Sequence, residues 1–161
     1  MKKKILTVFG TRPEAIKMAP VVKAIQQSDS LTSLVCSTGQ HQEMLLQVID
    51  FFNVKLDYEL NVMQESQSLT ELTSNLFSKI PEILEVTKPD LVLVHGDTAT
   101  TFAAAFSSFL SGVEVGHIEA GLRSGDISSP WPEEANRKLT TVISKYHFAP
   151  TVLAKNTLLS E

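Results

Sequence analysis

The stretch LVLVHGDT, residues 91–98, decides the fold, because an apolar run stops abruptly at polar residues and a glycine. Residues 91–94 are typical of a buried strand, and the helical spacing of apolar residues after Thr98 predicts a helix directly behind it. Four other runs of the same kind predict strands over residues 4–9, 32–37, 113–118 and 146–149. Alternation of strands and helices predicts an α/β fold with a parallel sheet covered by helices on both faces.

Capping boxes and prolines mark two of the predicted helices. Thr11 with Glu14, and Ser68 with Glu71, have the spacing in which each residue satisfies a free backbone N–H at a helix start. The first helix contains Pro20 and the second contains Pro81. Because proline lacks an N–H and crowds the preceding turn, we expect a break at Pro20 and a kink or restart at Pro81.

Apolar spacing also predicts the buried faces of two later helices. The helix after residue 98 is expected to bury one stripe of large residues: Phe102, Phe106, Phe109 and Leu110. The helix over residues 133–145 is expected to turn a second stripe inward: Ala135, Leu139, Val142 and Ile143.

Composition limits the class of protein. The 161 residues suffice for one α/β domain, and the net charge of −4 argues against a general nucleic-acid binder. A single cysteine, Cys36, excludes an intramolecular disulfide and a cysteine-based zinc site, and its apolar neighbours predict a buried strand residue. The apolar part of the N-terminal stretch is too short for a secretory signal, and no run approaches the ~18 apolar residues of a membrane span. We therefore predict a cytoplasmic protein without membrane or nucleic-acid partners.

Acidic residues follow two of the apolar strands. Ligands of open parallel sheets bind beyond the carboxyl ends of the strands, where Asp97 and Glu119 are predicted to lie. Two neighbouring carboxylates repel each other, so the pKa of one should rise, which suits proton transfer near neutral pH. The alternative for Asp97 is a helix cap, although Thr98 could also fill that role. His95 and His117 precede these acids by two residues and are interpreted as structural hydrogen-bonding groups.

Charged residues also occur at two helix starts. Arg12 and Lys17 flank the first helix, whose N-terminus favours an anion, but both could be solvated cations. Glu133 and Arg137 lie opposite the predicted apolar stripe of their helix, so they face either a cleft or solvent. The spacing of His, Asp and Glu residues does not resemble a metal site, and neither a G-x-G-x-x-G nor a Walker motif is present.

Four motifs resemble those of the non-hydrolysing UDP-N-acetylglucosamine (UDP-GlcNAc) 2-epimerases. They are FGTRPEAIKM at 9–18, HGDT at 95–98, GHIEAGLR at 116–123 and PWPEEANR at 130–137. The motifs occur in the family's order and spacing across essentially the whole chain. The resemblance implies two Rossmann-like domains in the glycosyltransferase-B arrangement, a homodimer, and interconversion of UDP-GlcNAc and UDP-N-acetylmannosamine (UDP-ManNAc) without a dissociable cofactor.

The resemblance also implies roles for individual residues. The catalytic carboxylates of the family fall on Asp97, Glu119 and Glu133, which assigns Glu133 to a cleft. The basic residues expected to bind the UDP-sugar substrate fall on Arg12 and Lys17, and we add Arg137 to them. The sequence does not assign which carboxylate removes the proton and which returns it.

A second, activating UDP-GlcNAc site in bacterial members corresponds to the segment containing Gln40, His41 and Glu43. Many members have Gln where Glu43 stands and Arg where Ser66 stands. Losing a cation and gaining an anion should weaken a diphosphate site, which argues against allosteric activation in this chain.

Length is the main departure from the family, whose members are more than twice as long. We therefore expect residues 1–161 to be the N-terminal Rossmann-like domain, with the C-terminal UDP-binding domain absent and the isolated chain inactive. Two alternatives are a half-domain of a sugar-nucleotide glycosyltransferase and a non-catalytic remnant.

Overall fold

The computed structural model describes residues 2–39 and 42–161, in which strands and helices alternate as predicted. The strands are β1 (Lys3–Phe9), β2 (Leu31–Ser37), β3 (Tyr58–Glu59), β4 (Leu91–His95), β5 (Glu114–Ile118) and β6 (Tyr146–Phe148). The helices are α1 (Arg12–Gln26), α2 (Gln42–Phe51), α3 (Leu69–Thr87), α4 (Ala99–Leu110), α5 (Glu133–Ile143) and α6 (Val152–Ser160).

The strands form one parallel sheet in the order β3-β2-β1-β4-β5-β6. The five strands expected from the sequence are all present, and the two-residue β3 has no apolar run that could have predicted it. The order reverses between β1 and β4, since β1 leads to β2 on one side while β4 leads to β5 on the other. Such a reversal opens a crevice at the carboxyl ends of the strands.

Helices cover both faces of the sheet, which confirms the predicted layers. Alternate residues of β1 point to opposite faces. Leu6 and Val8 join a core cluster with apolar residues of α3 and α4, whereas Ile5 and Phe9 join a second cluster with residues of α1 and α2. Cys36 is buried in the first cluster, as its strand position predicted.

The two internal prolines do not interrupt their helices, so the expected break at Pro20 and the expected restart at Pro81 are wrong. Helix α1 runs continuously through Pro20 and α3 runs continuously through Pro81. Both prolines are exposed. On the outer side of a helix, water can hydrate the carbonyl group that proline leaves without a donor. The Ser68–Glu71 capping box is confirmed, with the Ser68 backbone N–H donating to Glu71 Oε2 at 2.8 Å.

Helix α4 buries small side chains, which corrects the predicted stripe of large ones. Phe109 and Leu110 are 54% and 69% exposed, and the fully buried positions are occupied by alanine, serine and threonine. Phe102 and Phe106 instead pack edge-to-face against Phe77 of α3, with ring centroids 5.9 Å apart in both pairs. Small residues let α4 approach the sheet closely, leaving no room for the aromatic rings there.

Helix α5 shows the reverse of its predicted orientation. Leu139 and Val142 are 48% and 83% exposed, whereas Glu134, Arg137 and Thr140 are buried. Of the predicted stripe, Ile143 packs against the core. Polar side chains face inward because they contact the polar residues that follow β4. No helix within residues 2–39 and 42–161 has the length and apolar character needed to cross a membrane.

Candidate active site

The crevice at the carboxyl ends of β1, β4 and β5 brings the predicted acidic residues together. Asp97 follows β4 directly, Glu119 follows β5, and Glu133 opens helix α5. We call these three side chains the carboxylate cluster. The charges of Glu119 and Glu133 both raise the pKa of Asp97, so the three groups interact electrostatically.

Glu14 is a buried support for this crevice. Its Oε2 accepts hydrogen bonds from the backbone N–H groups of Gly10 and Thr11, at 3.0 and 2.7 Å. Its Oε1 accepts from the hydroxyl groups of Thr98 and Thr101, at 2.8 and 3.2 Å. One carboxylate therefore ties the start of α1 to the start of α4. The capping box predicted half of this role, but the link to α4 has no signal in the sequence.

Glu119 lies between a cation and an imidazole. Its Oε2 is 2.5 Å from Lys17 Nζ and 3.4 Å from His95 Nε2. Burial, the larger cause, lowers the pKa of His95, while the charge of Glu119 raises it. Glu119 has a left-handed backbone with φ of +65°, which costs a non-glycine residue roughly 1–2 kcal/mol. This strained turn points the carboxylate toward Lys17.

Asp97 is the group in the cluster with an altered proton affinity. Burial raises its pKa above the usual range, the charges of Glu133, Glu119 and Glu14 raise it further, and Arg137 opposes the rise. Arg137 Nη1 lies 3.4 Å from Asp97 Oδ2. A carboxyl group with a raised pKa binds and releases protons closer to neutral pH.

Asn136 fixes the backbone of the same turn, since its side-chain amide donates to the carbonyl oxygen of Asp97 at 2.8 Å. Thr98 caps α4 by accepting from the Thr101 N–H at 3.1 Å, which leaves the Asp97 side chain free for other contacts. The sequence alone leaves open which of the two residues is the cap. Asp97 is therefore not the cap of α4, which was the alternative to a functional role for this residue.

Glu133 lines a small open cleft beside Asp97. The cleft has a volume of about 210 Å³ and includes Thr11, Thr98 and Asn136 in its wall. Glu133 Oε2 is buried and has no hydrogen-bond partner within the described part of the chain. Because this oxygen is buried, Glu133 faces the cleft, and the alternative that the side chain simply faces solvent is excluded.

His117 supports the crevice from inside the sheet, as predicted. Its Nε2–H donates to the carbonyl oxygen of Gly96 at 2.7 Å, and the side chain is fully buried. Burial lowers its pKa to about 4, although the hydrogen bond to Gly96 opposes that shift. His117 is therefore neutral at physiological pH and holds the turn that carries Asp97.

The pKa of His117 predicts a pH dependence of stability. Below about pH 6.5 the unfolded chain gains a proton on this imidazole, whereas the folded chain does not until about pH 4. Acidification across this window should lower the free energy of unfolding by up to about 3 kcal/mol. His117→Gln should remove most of this loss because glutamine can still donate to Gly96 but does not titrate. Urea unfolding of the wild type and of His117→Gln from pH 7 to pH 4 measures the effect, and an equal loss of unfolding free energy on acidification in the two proteins would refute it.

The remaining predicted site residues fall into three groups. Arg12 and Lys17 are exposed near the start of α1. Arg137 is buried between two carboxylates, and its contact with substrate stays a prediction. Gln40 and His41 lie outside the described residues, and for Glu43 the structure gives only a backbone position in α2.

No group of three or more His, Cys, Asp or Glu side chains in residues 2–39 and 42–161 could hold a metal ion. Among the described residues, the cations Lys17 and Arg137 contact the carboxylate cluster.

The fold and the carboxylate cluster define a Rossmann-like α/β domain with acid–base groups at its crevice. A sequence profile described as UDP-N-acetylglucosamine 2-epimerase matches residues 23–161. The UDP-N-acetylglucosamine 2-epimerase of Neisseria meningitidis is 60% identical over 158 residues, which cover 98% of this chain and 42% of the relative. The enzyme of Escherichia coli K12 is 54% identical over the same shares of both chains. The chain belongs to the UDP-N-acetylglucosamine 2-epimerase family.

Solved structures agree with this assignment. A crystal structure of the Neisseria meningitidis UDP-GlcNAc 2-epimerase bound to UDP-GlcNAc gives a TM-score of 0.95 at 60% identity, covering 98% of this chain and 42% of that one. The Methanocaldococcus jannaschii enzyme in complex with UDP-GlcNAc and UDP gives a TM-score of 0.91 at 38% identity, covering 98% of this chain and 43% of that one. Acinetobacter baumannii MurG shares only the fold. It is 14% identical, with a TM-score of 0.62, and the match covers 91% of this chain and 40% of that one. The predicted fold class, one half of a glycosyltransferase-B type, is confirmed.

The chain spans about 42% of the length of the curated relatives that it matches. Activity, substrate and assembly of a whole protein are therefore matters for proposal.

Proposed function

We propose that the full natural protein, meaning the complete reading frame that contains this chain, interconverts UDP-GlcNAc and UDP-ManNAc. The observation that carries this proposal is Asp97, a carboxyl group with a raised pKa beside Glu119 and Glu133 at the crevice. Epimerisation at C2 needs groups that remove a proton from one face of the sugar and return it to the other. Several carboxylates in different environments suit such a pair of transfers.

In this proposal the reaction has an elimination and a re-addition. One carboxylate of the cluster takes the C2 proton while the C1–O bond breaks and UDP leaves, giving a 2-acetamidoglucal and bound UDP. A proton then returns to C2 on the other face, and UDP adds back to C1. Lys17 forms an ion pair with Glu119 at 2.5 Å, and Asp97, with its raised pKa, is suited to carry a proton between steps.

The diphosphate leaving group needs cations. Arg12 is exposed at the first turn of α1, where free N–H groups and the helix dipole also favour an anion. The other two basic residues near the cluster, Lys17 and Arg137, already contact carboxylates. Nearby carboxylates outnumber these cations, which supports a second source of positive charge for binding UDP.

The size of the cleft also supports a contribution to the site from outside this chain. Its volume is about 210 Å³, whereas sites for small ligands usually enclose about 300–1,000 Å³. We propose that this chain is the N-terminal Rossmann-like domain and that a second, UDP-binding domain closes the site. Homodimer formation, a cytoplasmic location and a role in polysaccharide synthesis are proposed from the family resemblance.

Solvent-deuterium exchange tests the proposed reaction. The full natural protein is incubated with UDP-GlcNAc in D₂O and followed by ¹H NMR. We expect loss of the C2 proton signal, deuterium at C2 and appearance of UDP-ManNAc. A glycosyltransferase would instead transfer the sugar to an added acceptor without exchange at C2. Absence of exchange in a folded protein would refute the proposal, and it is the result expected of a non-catalytic remnant.

The same assay tests the contribution of this chain alone. Purified residues 1–161 should release no UDP and incorporate no deuterium, because the described part of this chain supplies too few free cations to bind the diphosphate leaving group. Circular dichroism provides the control that the chain is folded. Exchange by the isolated chain would overturn the proposed division of the site between two domains.

A further inference from the structure

Helix α5 presents a polar stripe to the interior of the domain. Glu134 and Thr140 are 0% exposed and Arg137 is 9% exposed, while the apolar Leu139 on the same helix is 48% exposed. Taking a carboxylate out of water costs several kcal/mol, and replacing a buried ion pair by apolar residues is often neutral or stabilising. Stability alone therefore gives no reason for Glu134 to occupy this position.

Arg137 bridges Glu134 and the carboxylate cluster. Its Nε lies 3.1 Å from Glu134 Oε2, and its Nη1 lies 3.4 Å from Asp97 Oδ2. The contact with Glu134 is an ion pair without hydrogen-bond alignment. Glu134 and Arg137 are three residues apart on one helix, so their relative position is fixed by the helical backbone. The outer edge of the guanidinium then faces Asp97.

The surroundings of Asp97 make the position of Arg137 consequential. Burial and the charges of Glu133 on α5, Glu119 after β5 and Glu14 on α1 all raise the pKa of Asp97. Arg137 is the strongest influence that lowers the pKa of this carboxyl. A shift of the guanidinium would therefore change the proton affinity of Asp97.

We infer that Glu134 is a positioning residue for Asp97, acting through Arg137, which it holds beside the Asp97 carboxylate. The inference rests on the proposed function for one point, that Asp97 transfers the C2 proton. The positioning itself can be measured without turnover, so the two can fail separately.

The sign of one measurement separates positioning from simple charge. Removing the negative charge of Glu134 should by itself lower the pKa of Asp97, because a like charge has gone. Releasing Arg137 should raise it, because the opposing cation no longer lies at 3.4 Å. Glu134→Gln keeps the shape of the side chain and removes only the charge that holds Arg137.

Carboxyl ¹³C NMR titration of the full natural protein without substrate gives this sign, with Asp97→Asn used to assign the resonance. We expect Glu134→Gln to raise the pKa of Asp97 and the exposed Glu82→Gln on α3 to leave it unchanged. A fall or no change in Glu134→Gln would overturn the inference. If that variant does not fold, Glu134→Leu replaces it, and unfolding of both would show that Glu134 is structural only.

Kinetics give the functional consequence. For Glu134→Gln we expect kcat for C2 exchange at pH 7 to fall about 10- to 100-fold, since small displacements at a reacting centre have effects of that size. KM should stay within a few-fold, and the limb of the pH profile that belongs to Asp97 should move to higher pH. A raised pKa of Asp97 in a protein without C2 exchange would refute the proposed function but not the positioning. Wild-type kcat together with an unmoved pH profile would refute the positioning.

Discussion

Replacing Asp97 by asparagine in the full natural protein is expected to lower kcat for C2 exchange by roughly 10²–10⁴-fold, the usual contribution of a general acid or base. Asparagine has the same shape but cannot take up a proton. The turn should survive, because Asn136 binds the Asp97 backbone carbonyl and Thr98 caps α4 without help from the Asp97 side chain. KM should change less than kcat, since proton transfer occurs only in the reaction step.

The measurement compares deuterium uptake at C2 in wild type, Asp97→Asn and Asp29→Asn. Asp29 is exposed after α1, so its substitution removes the same charge without touching the crevice. Thermal unfolding shows whether each variant keeps its fold. Near wild-type kcat in a folded Asp97→Asn protein would remove Asp97 from the mechanism.

The sheet could be predicted because each buried parallel strand is a continuous apolar run that ends at polar residues. Residues 91–94 followed by His95 and Asp97 show the pattern most clearly. That pattern is enough to predict that Asp97 and Glu119 lie at the same edge of the sheet. The two-residue β3 gave no such signal, because Tyr58 and Glu59, which pair with β2, are too few to form an apolar run.

The buried faces of α4 and α5 could not be predicted from apolar spacing. That method assumes that the largest apolar residues face inward. In α4 the close approach to the sheet leaves room for small side chains such as alanine. In α5 the buried residues include Glu134 and Arg137, because the helix faces the polar turn after β4. Both outcomes depend on what lies opposite the helix, which the helix's own sequence does not contain.

The site was predicted in its composition but not in its contacts. Lys17 and Glu119 are separated by 102 positions in the chain, yet their side chains meet at 2.5 Å. The sequence indicates a substrate-binding role for Lys17 and offers no partner for it. Glu14 likewise has the spacing of a local cap, whereas its second oxygen binds two hydroxyl groups of the Thr98 turn. Long-range pairs of this kind follow from the strand order, which apolar runs alone do not determine.

The turn that carries Glu119 leads to the second large effect. Gly121 has φ of +90°, and a Cβ added there would lie 2.3 Å from the carbonyl oxygen of Ala154 in α6. Gly125 has nearly the same backbone, with φ of +86°, but no described atom within 4 Å of its added Cβ. The two glycines therefore separate the cost of a left-handed backbone from the cost of a steric clash.

Gly121→Ala is expected to lower the free energy of unfolding by about 2–5 kcal/mol, the sum of backbone strain and overpacking. Gly125→Ala should cost only the strain, about 1–2 kcal/mol. Because the clash is with backbone, either α6 or the turn must move, and Glu119 lies two residues away at φ of +65°. We therefore expect Gly121→Ala also to lower kcat for C2 exchange, while Gly125→Ala leaves it near wild type. Urea unfolding and deuterium uptake measure the two effects, and equal losses in both variants would show that contact with α6 does not hold the Glu119 turn in place.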